Sequence, residues 1–275
     1  MNKKYKIPCL AGMILLVAAC QKHVNVVSDP AAQLSFFNAS EYVLGQTLNT
    51  SGFSFLLIDA KDTTHSGVGG PSIASTPSFS GGQYQFPNFF YYTRQPVSWI
   101  SYMRVHPGLH TVTLTDTGGH HSLMTTAVKT AQGNPVSVYY SDSLGVFRSW
   151  TLIDTVSEIS TAVKLRVFDL SPDAGNVFFT IGGRAATGFP DSLRYGQITG
   201  FVPWDNPVAD TLQFRFFNTG DSVDIIASGS LSVMPGHAYN VLLTGYMSSQ
   251  FFLDTLTGSY LNFNPDLKLL FTQNN

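Results

Sequence analysis

Period-two alternation of apolar and polar residues, cut at short intervals by glycine, proline, asparagine and aspartate, is the feature that most limits how this chain can fold. Gln33 to Asn38 (QLSFFN) and Phe53 to Ile58 (FSFLLI) form one such pair of short runs, and Lys164 to Asp169 (KLRVFD) and Asn176 to Ile181 (NVFFTI) form a second. Each pair is followed by a Pro-Gly turn that feeds a longer run. Pro107-Gly108 precedes Leu109 to Leu114, and Pro235-Gly236 precedes Ala238 to Leu243. Helical spacing fails almost everywhere; Thr151 to Lys164 is the one stretch that could offer a turn of helix, although its Thr and Val content fits strands with a linker equally well.

The repetition predicts an all-β protein of two antiparallel β-sandwich domains of the immunoglobulin-like kind, covering residues 31–156 and 161–275 and joined near Ser157 to Thr161. The first domain carries a Gly/Ser/Pro-rich insertion near residues 63–82. The 21 Phe and 12 Tyr supply ample bulk for both cores.

The N-terminus predicts export. Lys3, Lys4 and Lys6 precede an apolar stretch from Ile7 to Val17, and polar Gln21, Lys22 and His23 follow at once. The apolar part is too short for a comfortable membrane span. Val17-Ala-Ala-Cys20 resembles the lipobox of bacterial lipoproteins. That resemblance implies a diacylglycerol on the Cys20 sulfur, cleavage after Ala19, acylation of the new amine by a palmitate-type chain, and a tether over residues 20–30. Two or three chains hold a protein to a membrane far more firmly than one, at roughly 0.8 kcal/mol per buried CH₂. Gln21 is not acidic, so the resemblance favours the outer membrane; Lys22 and His23 leave the leaflet open. The alternative is a plain secretory signal cut after Ala19, with Cys20 incidental.

Only Cys9 and Cys20 occur, so a mature chain has no free thiol for catalysis, metal binding or a disulfide. Loss of residues 1–19 removes three basic and no acidic residues, taking the net charge from -2 to -5. A mildly acidic chain has no electrostatic footprint for nucleic acid.

Lys164 to Gly183 (KLRVFDLSPDAGNVFFTIGG) resembles the opening of the DUF4397 family, extracytoplasmic β domains that start with a strand, a Ser-Pro-Asp turn and a second strand ending in glycine. Ser171, Pro172 and Asp173 match that turn, and the resemblance extends over residues 160–250. Asn38-Ala39-Ser40 departs from it, being followed by Glu41 and Tyr42. The resemblance brings no catalytic residues. Physically, Asp169 and Ser171 accept backbone N–H bonds and Pro172 fixes φ, which makes the motif a turn.

Motifs for chemistry are sparse. His120 and His121 are neighbours, a poor chelate on a strand, although Gly118-Gly119 could fold a turn that places Asp116 near one imidazole. His106 and His110 flank the Pro107-Gly108 turn without a nucleophile motif; neither G-x-S-x-G nor H-E-x-x-H occurs. Gly67 to Gly70 and Gly81-Gly82 lack the Gly-Lys-Ser/Thr of a phosphate loop. No cofactor or metal is expected.

Tyr84, Phe86, Asn88, Tyr92 and Arg94, within the aromatic run Gln83 to Arg94, form the candidate binding strip: rings for stacking on a sugar or a protein partner, with amides and a guanidinium as donors. A hairpin covered on both faces is the structural alternative. Trp99, Trp150 and Trp204, each beside aliphatic neighbours, read as packing residues. The expected role is a non-catalytic, lipid-anchored cell-envelope protein with a binding or scaffolding task, its partners being the membrane and a glycan or envelope protein. A carbohydrate-binding or adhesive module is the second reading, and an envelope enzyme the third.

Replacing Cys20 with Ala should abolish incorporation of a labelled fatty acid and release the protein from the membrane fraction. A Cys20→Ala protein that keeps both its label and its fractionation would sink the anchor.

Overall fold

In the computed structural model the described residues are 31–50, 54–59, 83–86, 98–99, 102–117, 121–156, 162–204 and 211–274, with side chains described except at 46–50, 83–86, 98–99 and 222. Cys20, the 63–82 insertion, the 157–161 joint and Asn88, Tyr92 and Arg94 lie outside them.

Strands of the first half are β1 (Ala32–Asn38), β2 (Ser54–Ile58), β3 (Gln83–Phe86), β4 (Ser98–Trp99), β5 (Met103–Val105), β6 (Gly108–Thr115), β7 (Ser122–Thr130), β8 (Val136–Ser143) and β9 (Val146–Ile153), with helix α1 (Glu41–Thr50) after β1. The second half holds β10 (Val163–Asp169), β11 (Val177–Ile181), β12 (Arg184–Ala185), β13 (Val202–Trp204), β14 (Thr211–Asn218), β15 (Asp221–Ser232), β16 (Ala238–Thr244), β17 (Gln250–Asp254), β18 (Ser259–Phe263) and β19 (Lys268–Asn274). The structure is essentially all-β, as the alternation predicts, and both Pro-Gly turns feed strands.

The internal repeat is plain in the strand orders. Sheet β5-β1-β8-β9 is matched term by term by β13-β10-β16-β19, to which β4 is added, and sheet β3-β2-β6-β7 by β12-β11-β14-β15. In each half the first strand runs parallel to a later one, Leu34 opposite Val136 and Leu165 opposite Tyr239. Local bonds repeat too. The Asn38 and Asp169 side chains each accept the N–H two residues on, from Ser40 at 2.9 Å and Ser171 at 3.1 Å.

Beyond this turn the halves diverge. Ser40 Oγ accepts the Val43 N–H at 3.2 Å and donates to Asp142 Oδ1 at 2.6 Å, while Asp142 also accepts the Tyr42 N–H, so two side chains cap α1. This helix was not expected from the sequence. Its composition, with Gly45, Thr47, Asn49 and Thr50, is poor in helix formers; the caps set it, not propensity. The stretch Thr151 to Lys164, the one offered for helix, instead ends β9 and begins β10 where it is described.

Each half buries an apolar layer between its sheets. Leu34, Val136 and Val138 meet Leu56, Val112, Leu114 and Val128 in the first. Leu165, Val167, Tyr239 and Val241 meet Val177, Phe179, Phe214 and Phe216 in the second. The central strands β8 and β16 are buried on both faces, because a third layer of Phe37, Tyr139, Phe168, Leu170 and Leu242 joins the halves. Tyr246 and Phe263 from the second half also enter the first core, stacked at 5.7 Å. Residues Ala31–Asn275 accordingly form one compact unit.

At the centre of the third layer lies a buried ion pair. Arg166 Nη2 donates to Asp154 Oδ1, with Arg166 3% and Asp154 1% exposed. Asp154 also accepts from Ser137, from Tyr102 OH at 2.8 Å and from Asn274 at 3.4 Å. Arg166 Nε donates to Asn240 Oδ1 at 2.8 Å, and its guanidinium lies 4.4 Å from the Phe201 ring centroid.

Removing one partner should strand a buried charge. Asp154→Ala is expected to lower unfolding free energy by about 3–5 kcal/mol in urea titration, more than a paired Asp154→Leu/Arg166→Met replacement. A single variant no less stable than the pair would show that the charges are not coupled.

Candidate functional site

A groove of about 500 Å³ opens where the two halves meet, lined by Met124, Phe147, Arg148, Ser149 and Trp150 from the first and by Arg194 to Gln197 from the second. One wall is β9, which among the described strands pairs only with β8 and leaves its other edge to the groove. The opposite wall is a turn fastened along β10. Gly196 N donates to Asp169 O at 2.7 Å, Asp169 N to Gln197 O at 3.0 Å, and Gln197 N to Arg194 O at 2.8 Å.

Tyr195 fills the angle between the walls. Its ring meets Trp150 edge to face at 6.0 Å, the Arg148 guanidinium sits 5.3 Å over it, and its hydroxyl donates to Ser141 Oγ at 3.4 Å. Gly196 adopts φ +84°, and a Cβ there would fall 2.9 Å from the Trp150 ring. Glycine is therefore required for the turn to close on the indole. The rims are exposed Arg148, Arg194 and Gln197, around half-buried Trp150, Tyr195 and Phe147. Rings held on paired backbone, flanked by guanidinium and amide donors, make a surface for a ring-shaped polar ligand.

Behind Tyr195 stands Asp169, fully buried. Its Oδ1 takes the Ser171 N–H and its Oδ2 has no partner among the described residues. Burial pushes its carboxyl up to about 7 despite that one bond. Asp142, also buried, is raised for the same reason against the bonds from Ser40, Gly145 and Tyr42. Glu41, at the start of α1, is likewise raised by burial to about 7, with Lys268 opposing.

Two of the histidines considered in the sequence, His110 and His121, are tied down by aspartates, and His120 lies outside the described residues. His121 Nδ1 lies 2.7 Å from Asp116 Oδ2, so one imidazole of the pair does lie beside Asp116. His110 Nδ1 lies 2.6 Å from Asp59 Oδ2, and its Nε2 lies 2.7 Å from His106 O, so both ring nitrogens are engaged. Burial raises the Asp59 carboxyl, but the bonds from His110 and the Thr111 N–H outweigh it and hold the group below its ordinary value. Among the described residues no three His, Cys, Asp or Glu side chains gather as a metal site.

Of the expected binding strip, Tyr84 and Phe86 fall on β3, beside Leu56 and Ser54 of β2. Asn88, Tyr92 and Arg94 fall outside the described residues. Trp150, expected only to pack, does touch the third layer, yet it also forms the groove. Trp204 packs on the second core with its indole N–H unpartnered. No local pattern announces Trp150 with Tyr195, because the two rings come from separate halves.

Comparison with known proteins gives one family match: a domain of unknown function, DUF4397, over residues 91–180. The match runs across the junction of the halves, from before β5 into β11, and shares Lys164 to Thr180 with the segment whose sequence resembles that family. No curated protein matches. Among solved structures, an α-glucan-binding streptococcal virulence factor is 9% identical over 76% of this chain and 91% of its own, with a TM-score of 0.25. A family 41 carbohydrate-binding module from streptococcal virulence factors is 11% identical over 86% and 96%, with a TM-score of 0.26. A family 26 module of Eubacterium rectale Amy13K, in complex with maltoheptaose, is 12% identical over 85% and 97%, with a TM-score of 0.22. At these scores none of the three bears on what this chain binds.

Because burial raises the Asp169 carboxyl to about 7, the fold favours its protonated form, and that contribution to stability is full below about pH 4 and is lost as pH rises through about 7. Melting temperature should fall between pH 5 and pH 8 more steeply in the native chain than in Asp169→Asn, whose neutral amide keeps the acceptor for Ser171. The difference should reach on the order of a few kcal/mol. Parallel slopes would show that Asp169 does not titrate in this range.

Proposed function

We propose that this chain is a non-catalytic binding protein of the cell envelope, held by lipid on Cys20 to what the Gln21 position favours as the outer membrane, and that the groove between its halves takes a saccharide. The observation that carries the saccharide reading is the aromatic corner of Trp150 and Tyr195, kept open by Gly196 and rimmed by Arg148, Arg194 and Gln197. Sugars present apolar ring faces and hydroxyl edges, which such a corner can stack and hydrogen-bond without chemistry. A binding role also accords with His110, both of whose ring nitrogens are engaged, since a general base needs a free nitrogen near substrate.

The finer architecture belongs to the same reading. Each half is taken as an immunoglobulin-like β-sandwich, residues 31–156 and 161–275, the two pressed together so that the seam becomes the site. The run containing Tyr84, Phe86, Asn88, Tyr92 and Arg94 is the second candidate surface.

The chain from Gln21 to Asn275 should retain oligosaccharides on a glycan array, and calorimetry with a retained sugar should show Trp150→Ala weakening it at least about tenfold. Loss through Tyr84→Ala and Tyr92→Ala, with Trp150→Ala unchanged, would move the site to the aromatic run. Retention of no glycan at all would remove the saccharide reading.

A further inference from the structure

We propose that the saccharide taken by the groove carries an anionic substituent, a carboxylate or a sulfate, which pairs with Arg148 and Arg194. This rests on the saccharide reading and names the class of sugar. Two of the nine residues lining the groove are arginines and none is acidic. Charged residues are only 12% of this chain and its net charge is -2, so two unopposed guanidiniums around one opening run against the general composition.

Among the described residues no carboxylate neutralises either arginine. The ion pairs among the described residues involve His110, His121, Arg166 and Lys268, and no carboxylate lies within 4.0 Å of Arg148 or Arg194. Arg148 is placed by the Tyr195 ring at 5.3 Å, a contact to the face of the ring that does not use its N–H donors. Arg194 is placed by its own backbone, which donates to Gln197 Oε1 at 2.9 Å and accepts from Gln197 N. The Arg148 guanidinium thus rests on a ring and Arg194 rises from a fixed turn, and among the described residues no acceptor takes the side-chain donors of either. A guanidinium presents a planar fork that fits carboxylate and sulfate oxygens in pairs, a match that sugar hydroxyls do not make. A neutral glycan would need the rings and Gln197 alone.

The test pairs matched ligands by calorimetry on the chain from Gln21 to Asn275: trigalacturonate against its methyl ester, and sulfated against unsulfated dextran oligomers, with inorganic sulfate as a control. One acidic member should bind at least about tenfold tighter than its neutral partner, and the preference should shrink with added salt. Arg148→Gln and Arg194→Gln should each lose more affinity for the acidic member than for its neutral partner, so that the preference shrinks, while melting temperature stays unchanged. Equal affinity for acidic and neutral members, still lost in Trp150→Ala, would overturn the charge assignment and leave the saccharide groove intact. Binding of neither member, or of inorganic sulfate as tightly as of the acidic sugars, would overturn the proposal, the first outcome taking the saccharide reading with it if the glycan array is also blank.

Discussion

One buried ion pair governs how the halves of this protein lie against each other. Asp154 ends the first half and Arg166 belongs to the first strand of the second, so the pair closes a short stretch of chain and fixes β9 beside β10. Charges this deep are tolerable only when their hydrogen-bonding capacity is filled, and here it is: Ser137, Tyr102 and Asn274 serve the carboxylate, Asn240 and two aromatic faces the guanidinium. A planar fork held on so many sides admits little sliding. The turn carrying Tyr195 is sewn to the same β10, and Trp150 projects from the same β9. The geometry of the groove is therefore inherited from the ion pair.

The two halves show how one scaffold accommodates different local sequences. After the shared Asx-type turn, Ser40 caps a helix and donates its hydroxyl proton to Asp142, whereas Ser171 donates to Gly245 O at 2.7 Å, the residue at the matching place in the parallel partner strand. A side-chain acceptor on one side and a backbone acceptor on the other do the same work. At Gly245 the backbone is at φ +88°, and a Cβ would come 2.1 Å from Asp266 O, so a chain that uses this position as a backbone acceptor needs glycine there. Asp173 of the Ser-Pro-Asp motif then accepts from Met247 N, Ser248 and Gln250, which makes that aspartate a fastener for the following loop.

Much of the fold was legible because its signals are local. Alternation, Pro107-Gly108, Pro235-Gly236 and the two echoing openings located strands to within a residue or two. Helix α1 was not legible, since half of its capping comes from Asp142, a hundred residues away. The groove was hidden for the same reason: Trp150 sits on an edge strand among aliphatic neighbours, and only the docking of Tyr195 and Gly196 turns it into a wall. Asp116 with His121 was foreseeable because they lie only five positions apart in sequence. Asp59 with His110, and Arg166 with Asp154, are long-range or depend on burial that no local pattern encodes.

The position of β19 has a temporal meaning. It comes last in chain order among the described strands, yet it lies inside its sheet, hydrogen-bonded to β16 on one side and to β4, from the first half, on the other. Ser98 thus waits for Thr272, across most of the chain, before its pairing exists. Closure over that distance must come late, so this sheet cannot be completed before β19 has been made. A chain in which β19 has not yet been made would present an open β16 edge instead of a finished sheet.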